Sequence, residues 1–194
     1  MGNDIYLKVL LYNIRYMKKL YGNKIYRELY MQTGKQKVAE VLFKFPEREF
    51  SLSDLAKESG VAKSNMGEIL EDFDKAGLIK LVKLSKIWRI KANQEEWTFR
   101  RNKIIYNIWL IYQTGLTEFL EEYYNKPKSI VLFGSFRRGE DISTSDIDIA
   151  VETDDVKDYN VIGLRELSDM EKDLGRKIQV HLFNRKNVNI NIFN

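Results

Sequence analysis

Apolar positions recur along this chain with two periods, and the changes of period mark its parts. Between residues 4 and 33, Leu10, Ile14, Met17 and Tyr21 fall at helical spacing, which predicts an amphipathic helix broken at Gly22-Asn23. Val38, Val41, Leu42 and Phe45 predict a helix ending before Pro46. Ser51 or Ser53 can cap a second helix with Leu55 and Ala56 inward, and Gly60-Val61 makes a turn. Ala62 to Lys75 predicts a third helix, burying Met66, Ile69, Leu70 and Phe73 and stopped by Gly77. The period then falls to two. Leu78 to Val82 and Ile87 to Ile90 read as strands around Lys83-Leu84-Ser85-Lys86.

The helical period returns over residues 94–125. Ile105, Ile108, Tyr112, Leu116, Phe119 and Tyr123 recur at threes and fours, widened by Trp109 and Leu120, and predict one long helix interrupted at Gly115. Beyond Pro127, Ile130 to Phe133 reads as a buried strand and Ser145 to Val151 as an alternating one. Thr153 to Tyr159 reads as a loop. Ile162 to Leu174 reads as a helix capped by Gly175, and Lys177 to Phe183 as a strand with Ile178, Val180 and Leu182 on one face and Gln179 and His181 on the other. Asn187 to Phe193 alternates too, as an edge strand or the start of a tail. Together these elements predict an α+β protein: a helical extension over 1–34, three helices and a hairpin over 35–92, a connecting helix over 93–127, and a mixed α/β sheet over 128–194.

Composition narrows the classes. An apolar content of 44% supports real cores. With no cysteine there is neither a disulfide framework nor a zinc–thiolate site, which suits a reducing cytoplasm. No apolar run reaches membrane-spanning length and the N-terminus lacks a signal-peptide pattern, so no membrane partner is expected. The net charge of +4 is uneven: the first 92 residues sum to +7 and the remainder to −3. The N-terminal half is therefore the better candidate for touching a polyanion. The tyrosines at 6, 12, 16, 21, 26 and 30 suit base stacking or packing against a neighbour, including a second subunit as a homodimer.

The chemistry concentrates between Ser129 and Val151. Asp146 and Asp148 share one face of their strand, opposite Ile147, Ile149 and Val151. Two carboxylates that close repel each other, and a divalent cation between them relieves the repulsion. Gly134-Ser135 can bring backbone N–H groups and a hydroxyl close to a phosphate, with Arg137 and Arg138 beside it. A strand, a phosphate-holding turn and a carboxylate pair make a layout for a Mg²⁺-bound nucleoside triphosphate.

This segment resembles the nucleotidyltransferase superfamily that includes DNA polymerase beta, in its small minimal form. The resemblance rests on Phe133-Gly134-Ser135 followed by Asp146-Ile147-Asp148-Ile149, with Arg138-Gly139 and Ser145 also matching. It implies that Gly134, Ser135, Arg137, Arg138 and Ser145 bind nucleotide, that Asp146 and Asp148 hold Mg²⁺ or Mn²⁺, and that an acceptor hydroxyl attacks the α-phosphate of a triphosphate, ATP first among them. A protein acceptor is credible, because minimal members often modify a partner toxin. The family's third carboxylate matches Gln179, with His181 next on that face; neither is a carboxylate. Gln179 offers a neutral oxygen to a metal. His181, the only histidine, is a base near pH 7 or a hydrogen-bonded strand residue without a catalytic part.

Residues 35–92 resemble a winged helix-turn-helix domain, carried by Ala56, Gly60 and the ending Ala76-Gly77-Leu78-Ile79 before a basic hairpin. The resemblance implies double-stranded DNA read by Lys63, Ser64 and Asn65 at the start of the third helix, with Lys80, Lys83, Lys86 and Arg89 tracking phosphates. Glu68, Glu71, Asp72 and Asp74 on that helix oppose deep entry into a groove. Winged helices also serve as protein-contact modules, so three readings follow: an enzyme transferring a nucleoside monophosphate, a DNA-binding regulator whose transferase-like domain is catalytically impaired and senses nucleotide or serves as scaffold, and a dimeric scaffold using its aromatic helices.

Overall fold

The computed structural model describes residues 33–85 and 87–186. The expected N-terminal helix, Lys86 and the expected last strand at Asn187–Phe193 lie outside them.

Helix α1 (Gly34–Lys44) starts from a capping box in which Thr33 and Gln36 satisfy each other's backbone N–H groups. It is followed by α2 (Leu52–Ser59), capped by Ser51, and α3 (Lys63–Lys75). Between α2 and α3, Gly60 adopts φ +65°, a left-handed turn that favours glycine. Strands β2 (Ile79–Leu84) and β3 (Ile87–Ala92) form an antiparallel hairpin whose ladder runs to Leu84 opposite Ile87. Lys83 and Leu84 are thus in the strand, not in the turn as expected, and Ser85 follows at φ +54°. A two-residue strand β1 (Glu49–Phe50), which the pattern does not signal, pairs with β3. The core of this half contains Val38, Leu42, Phe50, Leu55, Met66, Leu70 and Ile90, each at most 1% exposed.

The expected long helix is two: α4 (Trp97–Gln113) and α5 (Leu116–Tyr123), separated by Gly115 at φ +69°. The expected apolar stripe holds on α5, where Leu116, Phe119 and Leu120 are buried, and fails on α4. There Ile105, Ile108 and Tyr112 are 61, 42 and 57% exposed. The buried face carries Phe99, Lys103, Tyr106, Asn107 and Ile111 instead. Two polar side chains go inward because a loop of the second half supplies their partners.

That second half is a four-stranded sheet in the order β4-β5-β7-β6. Strand β4 (Ser129–Phe133) runs antiparallel to β5 (Ile147–Glu152), and β5 runs parallel to β7 (Ile178–Phe183). The expectation of a buried β4 is corrected: among the described residues it is an edge strand, half-buried, with Val131 exposed. The helix expected over Ile162–Leu174 begins later. Asn160–Ile162 is strand β6, antiparallel to β7, and Arg165–Leu167 is a 3₁₀ turn before α7 (Ser168–Leu174). Ile147, Ile149, Val151, Ile178, Val180 and Leu182 all enter the core, as the alternation predicts. No helix among the described residues is long and apolar enough to cross a membrane.

Candidate active site

The site lies where β4 ends and β5 and β7 begin. Phe133 is extended, Gly134 turns to φ +72°, and the short helix α6 (Gly134–Arg138) follows, closed by Gly139 at φ +66°. Phe133 sits opposite Asp148 across the β4–β5 ladder. The turn therefore folds straight onto the carboxylate, and a Cβ at Gly134 would overlap Asp148 Oδ2. A side chain there is excluded both by the dihedral and by the space. Gly139 is pressed against α4: a Cβ would lie 2.8 Å from the Arg100 carbonyl oxygen.

The loop from Gly139 to Asp146 is held from three sides. Asp141, fully buried, accepts from Asn107 Nδ2 at 2.8 Å, meets Lys103 Nζ at 3.2 Å and Arg176 at 3.3 Å. Lys103 also donates to the Asp141 carbonyl, and Asn107 to that of Phe136 at 2.8 Å. Burial holds the Lys103 amine below its ordinary value, against the opposing pull of Asp141. From the N-terminal half, Glu47 accepts from the Ser143 hydroxyl and from Ser143 N at 3.3 Å, and Arg176 donates to the Lys44 carbonyl at 3.1 Å. Burial pushes the Glu47 carboxyl up, but the hydrogen bonds from Ser143 and the nearby Arg176 outweigh it and hold it low. Ser145 Oγ accepts from Ile142 N at 2.9 Å, which fixes the last turn before Asp146.

The expected polar face is present. Gln179 donates its amide nitrogen to Asp146 Oδ2 at 2.5 Å, and His181 Nε2 meets Asp148 Oδ1 at 3.3 Å. The Tyr159 hydroxyl bonds the other ring nitrogen, Nδ1. Burial first, and then Asp148, push the Tyr159 phenol above its ordinary value. It therefore stays protonated at neutral pH. The Phe133 ring meets His181 edge-on, 4.8 Å between centroids. Tyr159 and the Glu47–Ser143 contact carry no sequence signal. The first ends a loop, and the second joins residues 96 positions apart.

The donor set fits one hard cation brought with a nucleotide. Two carboxylates on one face complete their share of an oxygen shell when phosphates supply the rest. Gln179 turns its nitrogen, not its oxygen, to Asp146. No group of three His, Cys, Asp or Glu side chains among the described residues is placed to hold a metal ion.

The other candidates are dispersed. Arg137 and Arg138 are exposed, and Arg138 pairs with Glu140 at 2.8 Å. Ser64 and Asn65 are exposed at the start of α3, where Lys63 donates to Ser53 Oγ at 2.8 Å. Lys80, Lys83 and Arg89 pair with Glu95, Glu71 and Glu49 at 2.9, 2.8 and 2.6 Å.

Residues 114–192 match the family model of the nucleotidyltransferase domain. The chain is 46% identical over 59 residues to a putative protein adenylyltransferase of Methanocaldococcus jannaschii, covering 30% of this chain and 66% of that protein. The match thus spans just under two thirds of that relative. Among solved structures, the transcriptional regulator BldR from Sulfolobus solfataricus is similar at 13% identity, over 66% of this chain and 88% of that one, with a TM-score of 0.30. At that score the likeness carries no argument. Residues 114–192 are thus similar to nucleotidyltransferase domains.

Proposed function

We propose that this chain binds a nucleoside triphosphate, ATP first among them, with Mg²⁺ or Mn²⁺ and transfers the nucleoside monophosphate to a hydroxyl of a protein acceptor. The observation that carries the reading is Gly134, left-handed and folded directly onto Asp148. It unites the glycine–serine turn and the carboxylate pair in one site. Asp146 and Asp148 would hold the cation, which when bound neutralises phosphate charge and orients the triphosphate. Gly134 and Ser135 would hold phosphates, and Arg137 or Arg138 would offset charge developing on the leaving pyrophosphate. His181, oriented by Asp148 and flanked by Phe133, is the base in this polar face, and it would take the acceptor's proton at Nδ1 once the acceptor hydroxyl displaces that of Tyr159.

The test is label transfer from α-labelled ATP, GTP, CTP and UTP to proteins of a cell lysate, with nucleotide binding followed by calorimetry. Transfer by the wild type that is lost in Asp146→Asn/Asp148→Asn supports an enzyme. Absence of both binding and transfer refutes the nucleotide site.

One observation favours a second reading, a regulator whose transferase domain is impaired: Gln179 gives Asp146 a hydrogen-bond donor where a third carboxylate would complete a metal site. Binding without transfer, with transfer gained in Gln179→Asp, would select it. Under either reading we infer that residues 35–92 form a winged helix offering the exposed start of α3 to duplex DNA. The ion pairs on the hairpin do not block this, since exposed pairs contribute only about 0–1 kcal/mol each. Salt-sensitive duplex binding, lost in Lys63→Glu/Lys83→Glu, is the expected result; no binding at low salt refutes it.

A further inference from the structure

Three side chains in the site stand in the order of a nucleophile, its base and the base's orienter. The Tyr159 hydroxyl bonds His181 Nδ1, and His181 Nε2 meets Asp148 Oδ1 at 3.3 Å. A nucleophile within hydrogen-bond reach of a base that a third group orients is the arrangement of covalent catalysis in general. Here the nucleophile position is filled by a residue of the chain itself. Phe133 packs edge-on against the imidazole at 4.8 Å, and the Tyr159 ring lies 5.8 Å from it, tilted by 40°. The imidazole is thus held on three sides while Tyr159 remains 41% exposed.

The backbone around Tyr159 suits an acceptor. It immediately precedes β6, which among the described residues pairs with β7 alone, with Val161 opposite His181. The phenol needs a base, because a tyrosine hydroxyl is ordinarily protonated at neutral pH.

We propose that Tyr159 is itself a nucleotidyl acceptor, so that the chain modifies its own site. This rests on the transferase reading above. The Tyr159 oxygen attacks the α-phosphorus of the triphosphate. The new bond is between that oxygen and phosphorus, and the bond from the α-phosphorus to the bridging oxygen of the β-phosphate breaks. Pyrophosphate leaves with that electron pair, and the phenolic proton passes to Nδ1 of His181. Nε2 keeps its proton toward Asp148. The product is a tyrosyl phosphodiester whose nucleoside occupies the acceptor side of the site, so one modification per chain would close that side to other hydroxyls.

The experiment uses the full chain with Mg²⁺ and α-labelled ATP, no other protein present, followed by tryptic digestion and mass spectrometry. Trypsin releases Asp158–Arg165, which contains Tyr159 as its only tyrosine. The expected result is one adenylyl group per chain on that peptide, absent in Tyr159→Phe and in Asp146→Asn/Asp148→Asn. His181→Gln should slow it by about 10²–10⁴-fold, the range of general-base catalysis. Calorimetric binding of Mg²⁺-ATP to unmodified wild type is measured in parallel. Binding with label on other peptides or on nothing overturns the self-modification and leaves the nucleotide site standing. Neither binding nor transfer fails both. Because the peptide is mapped on the wild type, the result does not depend on any variant folding.

Discussion

Asp141→Asn removes a charge and almost no volume, at a point where three parts of the chain meet. Asp141 is 1% exposed and faces Lys103 at 3.2 Å, Arg176 at 3.3 Å and Asn107 at 2.8 Å. With the carboxylate gone, two buried cations face each other and lose their directly paired anion, with Glu47 as the carboxylate left near both. Breaking a buried pair from one side costs about 3–5 kcal/mol. Part of the loss is pH-dependent. The Lys103 amine already lies below its ordinary 10.5 through burial, and Asp141 resists that fall. Removing Asp141 lowers it further. Between a depressed folded value and the unfolded one the unfolded chain holds more protons, so stability rises with pH across that window. The window is wider in Asp141→Asn, so its deficit should be largest near neutral pH and shrink as the pH approaches 10.5. Urea unfolding followed by tryptophan fluorescence at neutral and alkaline pH measures this. Adding Lys103→Met should recover part of the loss, because it removes one of the orphaned charges. A deficit below about 1 kcal/mol, the level of exposed ion pairs, would refute the reasoning. So would a deficit that does not change with pH.

Three further outcomes are expected. Gly134→Ala puts a residue at φ +72° and a methyl on Asp148 Oδ2; the backbone alone costs about 1–2 kcal/mol, or roughly 2–8 °C in Tm, and calorimetry should show nucleotide binding lost. Glu47→Gln tests the clasp between the halves. The Glu47 carboxyl is held low, so its contribution is full above its ordinary 4.5 and disappears as pH falls through the lower folded value; urea midpoints of wild type should drop more steeply in that window than those of the variant. On α4, Asn107→Leu should cost about 1–3 kcal/mol by leaving the Phe136 carbonyl and Asp141 short of a donor, whereas Ile105→Ser should stay within about 0.5 kcal/mol. Equal effects would mean that the helix presents a different face.

The contrast on α4 shows where sequence reading works. The strands of the sheet were legible because Ile147, Ile149, Val151, Ile178, Val180 and Leu182 alternate with polar residues and one face is fully buried. The same alternation placed Asp146, Asp148, Gln179 and His181 together. The helices over 35–75 were legible because their apolar positions and caps agree. The phase of α4 was not, because hydropathy assigns Lys103 and Asn107 to the surface. They are inside only because Asp141 and the Phe136 carbonyl, both distant in sequence, are there to meet them. Tyr159 was missed for a related reason: three residues of β6 are too few to show a period, and its partner His181 lies across a sheet edge.

Helix α4 belongs to both cores at once. Phe99 and Tyr106 pack into the first, Ile111 into the second, and Leu110 touches each. What could be inherited by fusion or recombination is therefore not either half with a tidy edge. A breakpoint anywhere along α4 would hand one descendant a globule missing a wall and the other a rod with a bare side. Partner swapping, if this lineage practises it, would have to exchange loops around the shared helix and leave the helix whole.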